Sequence, residues 1–398
     1  MRRAKVTVRD NWFFFHSTHS NDGGCWFFSN LKFYGRSWRT IKFTNDWITC
    51  KGLNHQIGKD IFWYMFPVHK GWIFAGGPIF NNMEDCIDRD DATETLQHRY
   101  WMAATTNNAL FEYRDWCALQ NVTLPVSDLQ VLNTTFDIEG SAAPMFDKIN
   151  DENKWPNLPI NDWGFFVLGL KQQTAQLPFG IPLVGLEAYL NHFSPDVVIN
   201  YNVSSYKSDN AKEIMYHEYA HVSHYTRMLP NAADYWTIDL PLFVMDPGYG
   251  TDPNTSRGKR VSINENWAYF IGPAVADEAY DLKHSGTQSS NILDIQLTRW
   301  KNTNEKSMFY STNSTVDGFY IRVGLYRDLW DINPTGDPYE NGDLVGFENF
   351  GGITPVDILS LMDHNMQSPA QLKNAIQNGF VSNSNLNNYN ILMTKYGL

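Results

Sequence analysis

Val6 and Val8 alternate with Lys5, Thr7 and Arg9, the two-residue period of a strand buried on one face. Asn21-Asp22-Gly23-Gly24 supplies turn chemistry, and the short runs Cys25–Phe28, Leu31–Tyr34 and Arg39–Phe43 predict further strands, so residues 4–44 read as β. Residues 45–80 are rich in aromatics and are assigned no element. A helix is predicted from about Asp91 to Leu119, then strands at Leu129–Phe136, Phe165–Leu170 and Val197–Asn202. From about residue 209 the chain changes to a helical period. Thr354-Pro355-Val356-Asp357 and Ser368-Pro369-Ala370-Gln371 both place proline at the first helical position behind a hydroxyl cap. Strands first and helices afterwards predict an α+β protein, mainly helical in its C-terminal half. We divide it into a small all-β sandwich module at 1–80 and a second domain at 81–398.

One segment carries chemistry. Glu213-Ile214-Met215-Tyr216-His217-Glu218-Tyr219-Ala220-His221 contains H-E-x-x-H. On a helix, positions i and i+4 share a face, so two imidazoles can meet one Zn²⁺ at about 2.0–2.1 Å. Glu218 stands beside the remaining coordination position, where it can take a proton from water. Ile214, His217, His221, Tyr225 and Met228 follow an i, i+3/i+4 rhythm, which puts both histidines on the apolar, inward face of a helix over about 210–228. Asn210 with Glu213 predicts the start of that helix, and Leu229-Pro230 its stop. A chance H-E-x-x-H in a chain this long is expected on the order of one time in a hundred. His224 lies seven residues from His217, about 10.5 Å along a straight helix, so the two cannot share one ion. We assign His224 to packing or to a hydrogen bond behind the ligands.

A third ligand must come from another element. Glu265, in Ser262-Ile263-Asn264-Glu265-Asn266-Trp267-Ala268, is the candidate, on a helix over about 263–281. Ser262 and Glu265 also have capping-box spacing, so the carboxylate has a bland alternative as a helix cap. Asp277 and Glu278 are reserves, beyond Pro273, which is expected to kink or interrupt the helix. For the developing oxyanion, Tyr320 and Tyr280 are candidates. Asp331-Ile332-Asn333-Pro334-Thr335-Gly336-Asp337 alternates oxygen side chains, as a Ca²⁺ loop or, more simply, a solvated turn.

Asn264-Glu265-Asn266-Trp267-Ala268, taken with H-E-x-x-H, resembles the gluzincin class of zinc metallopeptidases over Asn210–Gly272. The resemblance implies a zincin-like domain, Zn²⁺ held by His217, His221 and Glu265, Glu218 as base, and a peptide substrate paired along the strand Asp196–Asn202. Two features depart from thermolysin-like enzymes. Forty-three residues separate His221 from Glu265, and Tyr269 stands where those enzymes place an acidic residue four positions after the ligand glutamate. The N-terminal strand rhythm and turn resemble the carboxypeptidase-regulatory-like β-sandwich modules of secreted bacterial proteins, which implies an extracellular or cell-envelope location.

Composition narrows the functions further. The 398 residues suit two or three domains, and 43% hydrophobic with 19% charged residues suits a folded chain. A net charge of −12 without a basic stripe argues against nucleic acid as a partner. No apolar run is long enough to span a membrane, and Met1-Arg2-Arg3-Ala4-Lys5 is followed by alternating residues rather than a signal core. Cys25, Cys50, Cys86 and Cys117 contain no CxxC pair, so a cysteine zinc site is not expected; one or two disulfides and free thiols both remain open. Against the peptidase reading stand a glycan- or surface-adhesion protein built on the aromatics (15% of the chain) and a metal-free core in which the histidines only pack.

Overall fold

The N-terminal alternation builds the sheet it predicts. In the computed structural model, β1 (Lys5–Asp10) pairs antiparallel with β2 (Phe14–His19) and β3 (Ser37–Lys42), and β5 (His69–Phe74) closes the order β2-β1-β3-β5. Val6, Val8 and Ile41 are buried, so the apolar face is the inward one. The structure describes residues 2–10, 14–21, 25, 37–53, 69–74, 96–134, 141–151, 195–200, 208–236, 252–279, 315–316, 319–320, 322–330 and 350–398. The strands expected at Cys25–Phe28, Leu31–Tyr34 and Phe165–Leu170, most of the turn at Asn21–Gly24, Tyr280 and the Asp331–Asp337 loop lie outside these residues.

Two units divide the chain. The first comprises Met1–Phe111, Val126–Asn153 and Val167–Met215, and the second Glu112–Pro125, Lys154–Phe166 and Tyr216–Leu398. Within the first, β4 (Ile48–Leu53) enters a parallel sheet with β6 (Leu129–Thr134) and β7 (Val197–Asn200), in the order β4-β6-β7. Ile48, Cys50, Leu129, Val131, Val197 and Ile199 are all buried. The early part of α1 (Leu96–Gln120) is bonded to this sheet: Thr106 Oγ1 donates to Asn133 Oδ1 at 2.7 Å, and the Cys50 thiol to the Ala103 carbonyl at 3.6 Å. Asp196 joins β6 to α2 (Phe146–Asp151) by accepting from the Gln130 amide at 2.9 Å and the Lys148 amide at 3.0 Å. The outer edge of β7 is already paired at Asp196, which accepts from the Met145 amide, and at Val198, which exchanges both backbone bonds with Ala142. The row of free backbone groups expected there for a substrate is therefore taken up at those two positions. Cys25, Cys50 and Cys117 are free thiols.

The C-terminal half is helical, as its period predicts, with α3 (Ser208–Met228), α4 (Ser256–Ala279), α5 (Val323–Trp330), α6 (Pro355–Leu361), α7 (Pro369–Phe380) and α8 (Leu386–Lys395) among the described residues; α5 and α8 had no individual signal. The protein is α+β. Thr354 and Ser368 cap α6 and α7 as expected, with Asp357 completing a capping box on Thr354. Three expectations need correction. Helix α3 starts at Ser208, so Asn210 lies inside its first turn instead of capping it. Helix α4 starts at Ser256, where Thr255 Oγ1 accepts from the Gly258 amide at 3.1 Å. Ser262 is therefore mid-helix, its hydroxyl accepting from Asn266, and the capping role for Glu265 falls away. Pro273 does not interrupt α4, which continues to Ala279. Among the described residues, no helix is long and apolar enough to cross a membrane.

Candidate metal centre

Every side chain of the site lies in the second unit, on α3 and α4. The inward rhythm of α3 buries Tyr219, Ala220, Val222 and Tyr225 completely or almost so and carries His217, Glu218 and His221 into the same interior. Tyr113, on the part of α1 that belongs to this unit, bonds Ser223 at 2.9 Å and tilts its ring against Tyr219. Trp267 of α4 is fully buried and donates its indole N–H to the Ala220 carbonyl at 3.3 Å. That bond ties the helix of the carboxylate to the helix of the imidazoles, two residues from Glu265 and one from His221. The residues around Glu265 thus hold the register of the two helices as well as supplying the acid.

The geometry at the crossing is tight. Glu265 places Oε2 3.3 Å from His217 Nε2 and Oε1 3.4 Å from His221 Nε2, and the two ring nitrogens stand 3.3 Å apart. Each of these close pairs needs a proton or cation between its atoms: an imidazole N–H can donate to the carboxylate, and a metal ion could take the same place. The observed separations of 3.3–3.4 Å match the edge of about 3.3–3.4 Å between two ligands of a four-coordinate ion bound at 2.0–2.1 Å. His217, Glu218 and His221 are likewise close enough together to hold a metal ion. The Glu265 oxygens, for their part, face both ring nitrogens.

Electrostatics separates the two carboxylates. Burial by itself pushes the Glu265 carboxyl up, but the charge of His221 and hydrogen bonds from both imidazoles outweigh it and hold the group well below the usual carboxylate range. For Glu218 burial wins: its carboxyl is pushed up to about 8, with His217 opposing and Glu265 adding to the rise. Glu218 is only 4% exposed, and its Oε2 is buried with no hydrogen-bond partner among the described residues. A buried acceptor left unpaired costs on the order of 1–3 kcal/mol, so it marks a place where a further group is expected to bind. Comparison with protein-family profiles, curated proteins and solved structures gives no match for this chain. The site's chemistry therefore rests on its own geometry.

His224 packs, as the spacing argument requires. It is completely buried, with ring centroids 6.0 Å from Tyr235 and 5.7 Å from Trp236. Burial lowers its pKa to about 3, helped by the charges of His221 and Arg227 and only partly offset by the Met362 backbone. An unfolded histidine titrates near 6.5, so between these values the unfolded chain binds a proton that the folded chain refuses. Stability from this residue is complete above about pH 6.5 and falls as pH drops, by up to about 1.4 kcal/mol per pH unit. In urea titrations, His224→Phe is expected to shrink the stability loss between pH 6.5 and pH 5 by about 1–2 kcal/mol. Equal losses in both proteins would contradict the neutral, buried assignment.

Tyr320 lies in β9 (Phe319–Tyr320), paired with β8 (Thr315–Val316) and placed beside α4, while its side chain is outside the described residues. Asp277 and Glu278 lie in α4, and their side chains are likewise outside. Two aromatic neighbours of the paired histidines were not foreseen as site residues. Trp236 stands 6.4 Å from His221, and Tyr269 stands 4.5 Å from His217, centroid to centroid. The position of Tyr269, one turn after Glu265, was the signal that could have found it.

Proposed function

We propose that the chain is a zinc-dependent peptidase of gluzincin type, acting on protein or peptide substrates, with a zincin-like domain after an N-terminal β module and an extracellular or cell-envelope location. The observation that carries this reading is the convergence of two imidazole nitrogens and both Glu265 oxygens at 3.3–3.4 Å, beside a buried carboxylate with an unpaired oxygen. His217, His221 and Glu265 form the ligand set, a borderline-soft nitrogen and oxygen combination that suits zinc. When bound, zinc supplies a Lewis acid that polarises the scissile carbonyl and acidifies water.

The chain's own residues do the rest. Glu218 follows His217 directly on α3, which holds the base next to the first histidine. In its ionised form, Glu218 accepts the proton of the attacking water and then delivers it to the leaving amine nitrogen. Burial excludes bulk water from that carboxylate, which strengthens both transfers. Tyr320, on the hairpin beside α4, is the proposed donor to the developing oxyanion. The test is cleavage of a peptide library by the zinc-loaded protein. Cleavage should vanish on chelation, return with zinc and be lost in Glu218→Gln. Equal cleavage by wild type and variant would refute the assignment.

A further inference from the structure

His217 and His221 are held unequally. The His221 side chain is 5% exposed, while that of His217 is 15% exposed and lies nearer solvent. A surface-facing imidazole samples other rotamers unless something confines it, and each side chain frozen on binding costs affinity. The closest aromatic contact at the site is on this more exposed ring. Tyr269 meets His217 at 4.5 Å between centroids with the planes 68° apart, an edge-to-face contact at the short end of the 4.5–7 Å range for such pairs. Trp236 reaches His221 only at 6.4 Å. Tyr269 is itself 40% exposed, whereas its neighbours Ala268 and Phe270 are buried. Its outward position is thus not explained by core filling.

Its place on α4 explains it instead. Residues i and i+4 share a helix face, so Glu265 and Tyr269 project from one side of α4 toward α3. Glu265 meets the Nε2 end of His217, and the Tyr269 ring makes an edge-to-face contact with the same imidazole. Trp267, between them in sequence, bonds α4 to Ala220 and keeps both at their distance.

We propose that Tyr269 is a positioning residue for His217, whose ring confines the imidazole to the rotamer that faces Glu265 and thereby raises the affinity of the site for its metal ion. This role rests on the metal reading above. It requires the aromatic ring and does not require the hydroxyl.

The test is Zn²⁺ affinity, measured by competition with a chromophoric chelator, for the full chain and for Tyr269→Phe, Tyr269→Ala and Tyr269→Leu. Far-UV circular dichroism and urea midpoints check each fold, and the leucine variant replaces the alanine one if the latter does not fold. The expected result is wild-type affinity within twofold for phenylalanine and a loss of about fivefold to tenfold for alanine and leucine. In the Co²⁺-substituted proteins, the visible band should be unchanged by phenylalanine and altered by alanine or leucine, which a purely structural role would not produce. Folded alanine or leucine variants that bind zinc within twofold of wild type would overturn the proposal. So would a phenylalanine variant as weak as alanine. Wild-type protein that binds no zinc would overturn the metal reading and this role together, which separates the two failures.

Discussion

Glu218→Gln is expected to lower peptide cleavage by at least about a hundredfold, and up to about ten-thousandfold, while zinc stays bound. Glutamine keeps the length and shape of the side chain, so α3 and its neighbours are undisturbed. What disappears is an oxygen that can take up a proton and release it again. Zinc should remain because Glu265, not Glu218, faces both ring nitrogens. The variant also removes a carboxyl that burial pushes up to about 8, a group that weighs against folding when ionised. Its stability should therefore match or exceed that of wild type in urea titrations at pH 8 and above. A variant that loses zinc along with activity would instead make Glu218 a ligand, and full activity would remove it from the mechanism.

Glu265→Gln should show the opposite pattern. It keeps the side-chain volume but removes the anionic ligand, and zinc affinity is expected to fall by at least about a hundredfold; even residues one shell further out typically account for 10–100-fold. Stability should fall too. Glu265 is ionised in the fold because His221 and His217 offset its burial, so the substitution leaves both imidazoles facing a neutral amide. Breaking one side of a buried charged cluster costs about 3–5 kcal/mol. Equilibrium dialysis against a zinc buffer and urea titration read the two effects separately. Zinc binding within a few fold of wild type would exclude Glu265 from the ligand set.

The centre of this site was legible because its signals are local. H-E-x-x-H needs only the helical period, and Ile214, Tyr225 and Met228 show which face of α3 is inward. Glu265 was legible as a candidate but ambiguous with a cap, and the ambiguity came from misjudging where α4 begins. Arg257-Gly258-Lys259-Arg260 reads as a polar break, yet it forms the first turn of the helix. Gly258 is needed there because a Cβ would collide with the backbone of Asp252 and Pro253, a close approach that no sequence period reveals. Parallel pairing was hidden for a different reason. Ile48–Leu53 meets partners more than 75 residues away, so neither its parallel sheet nor its register has a local signal. Tyr269 was legible only as a departure from a family pattern. Its contact with His217 depends on how two helices cross, which their sequences do not encode separately.

In the proposed centre, α3 and α4 meet around one metal ion. X-ray diffraction from zinc-loaded crystals, collected on both sides of the zinc absorption edge, tests it most directly. We expect a single strong anomalous peak per chain, bounded by His217 Nε2, His221 Nε2 and the Glu265 carboxylate. A zinc-loaded crystal with no peak between those three side chains, or with its zinc held elsewhere, would contradict the account.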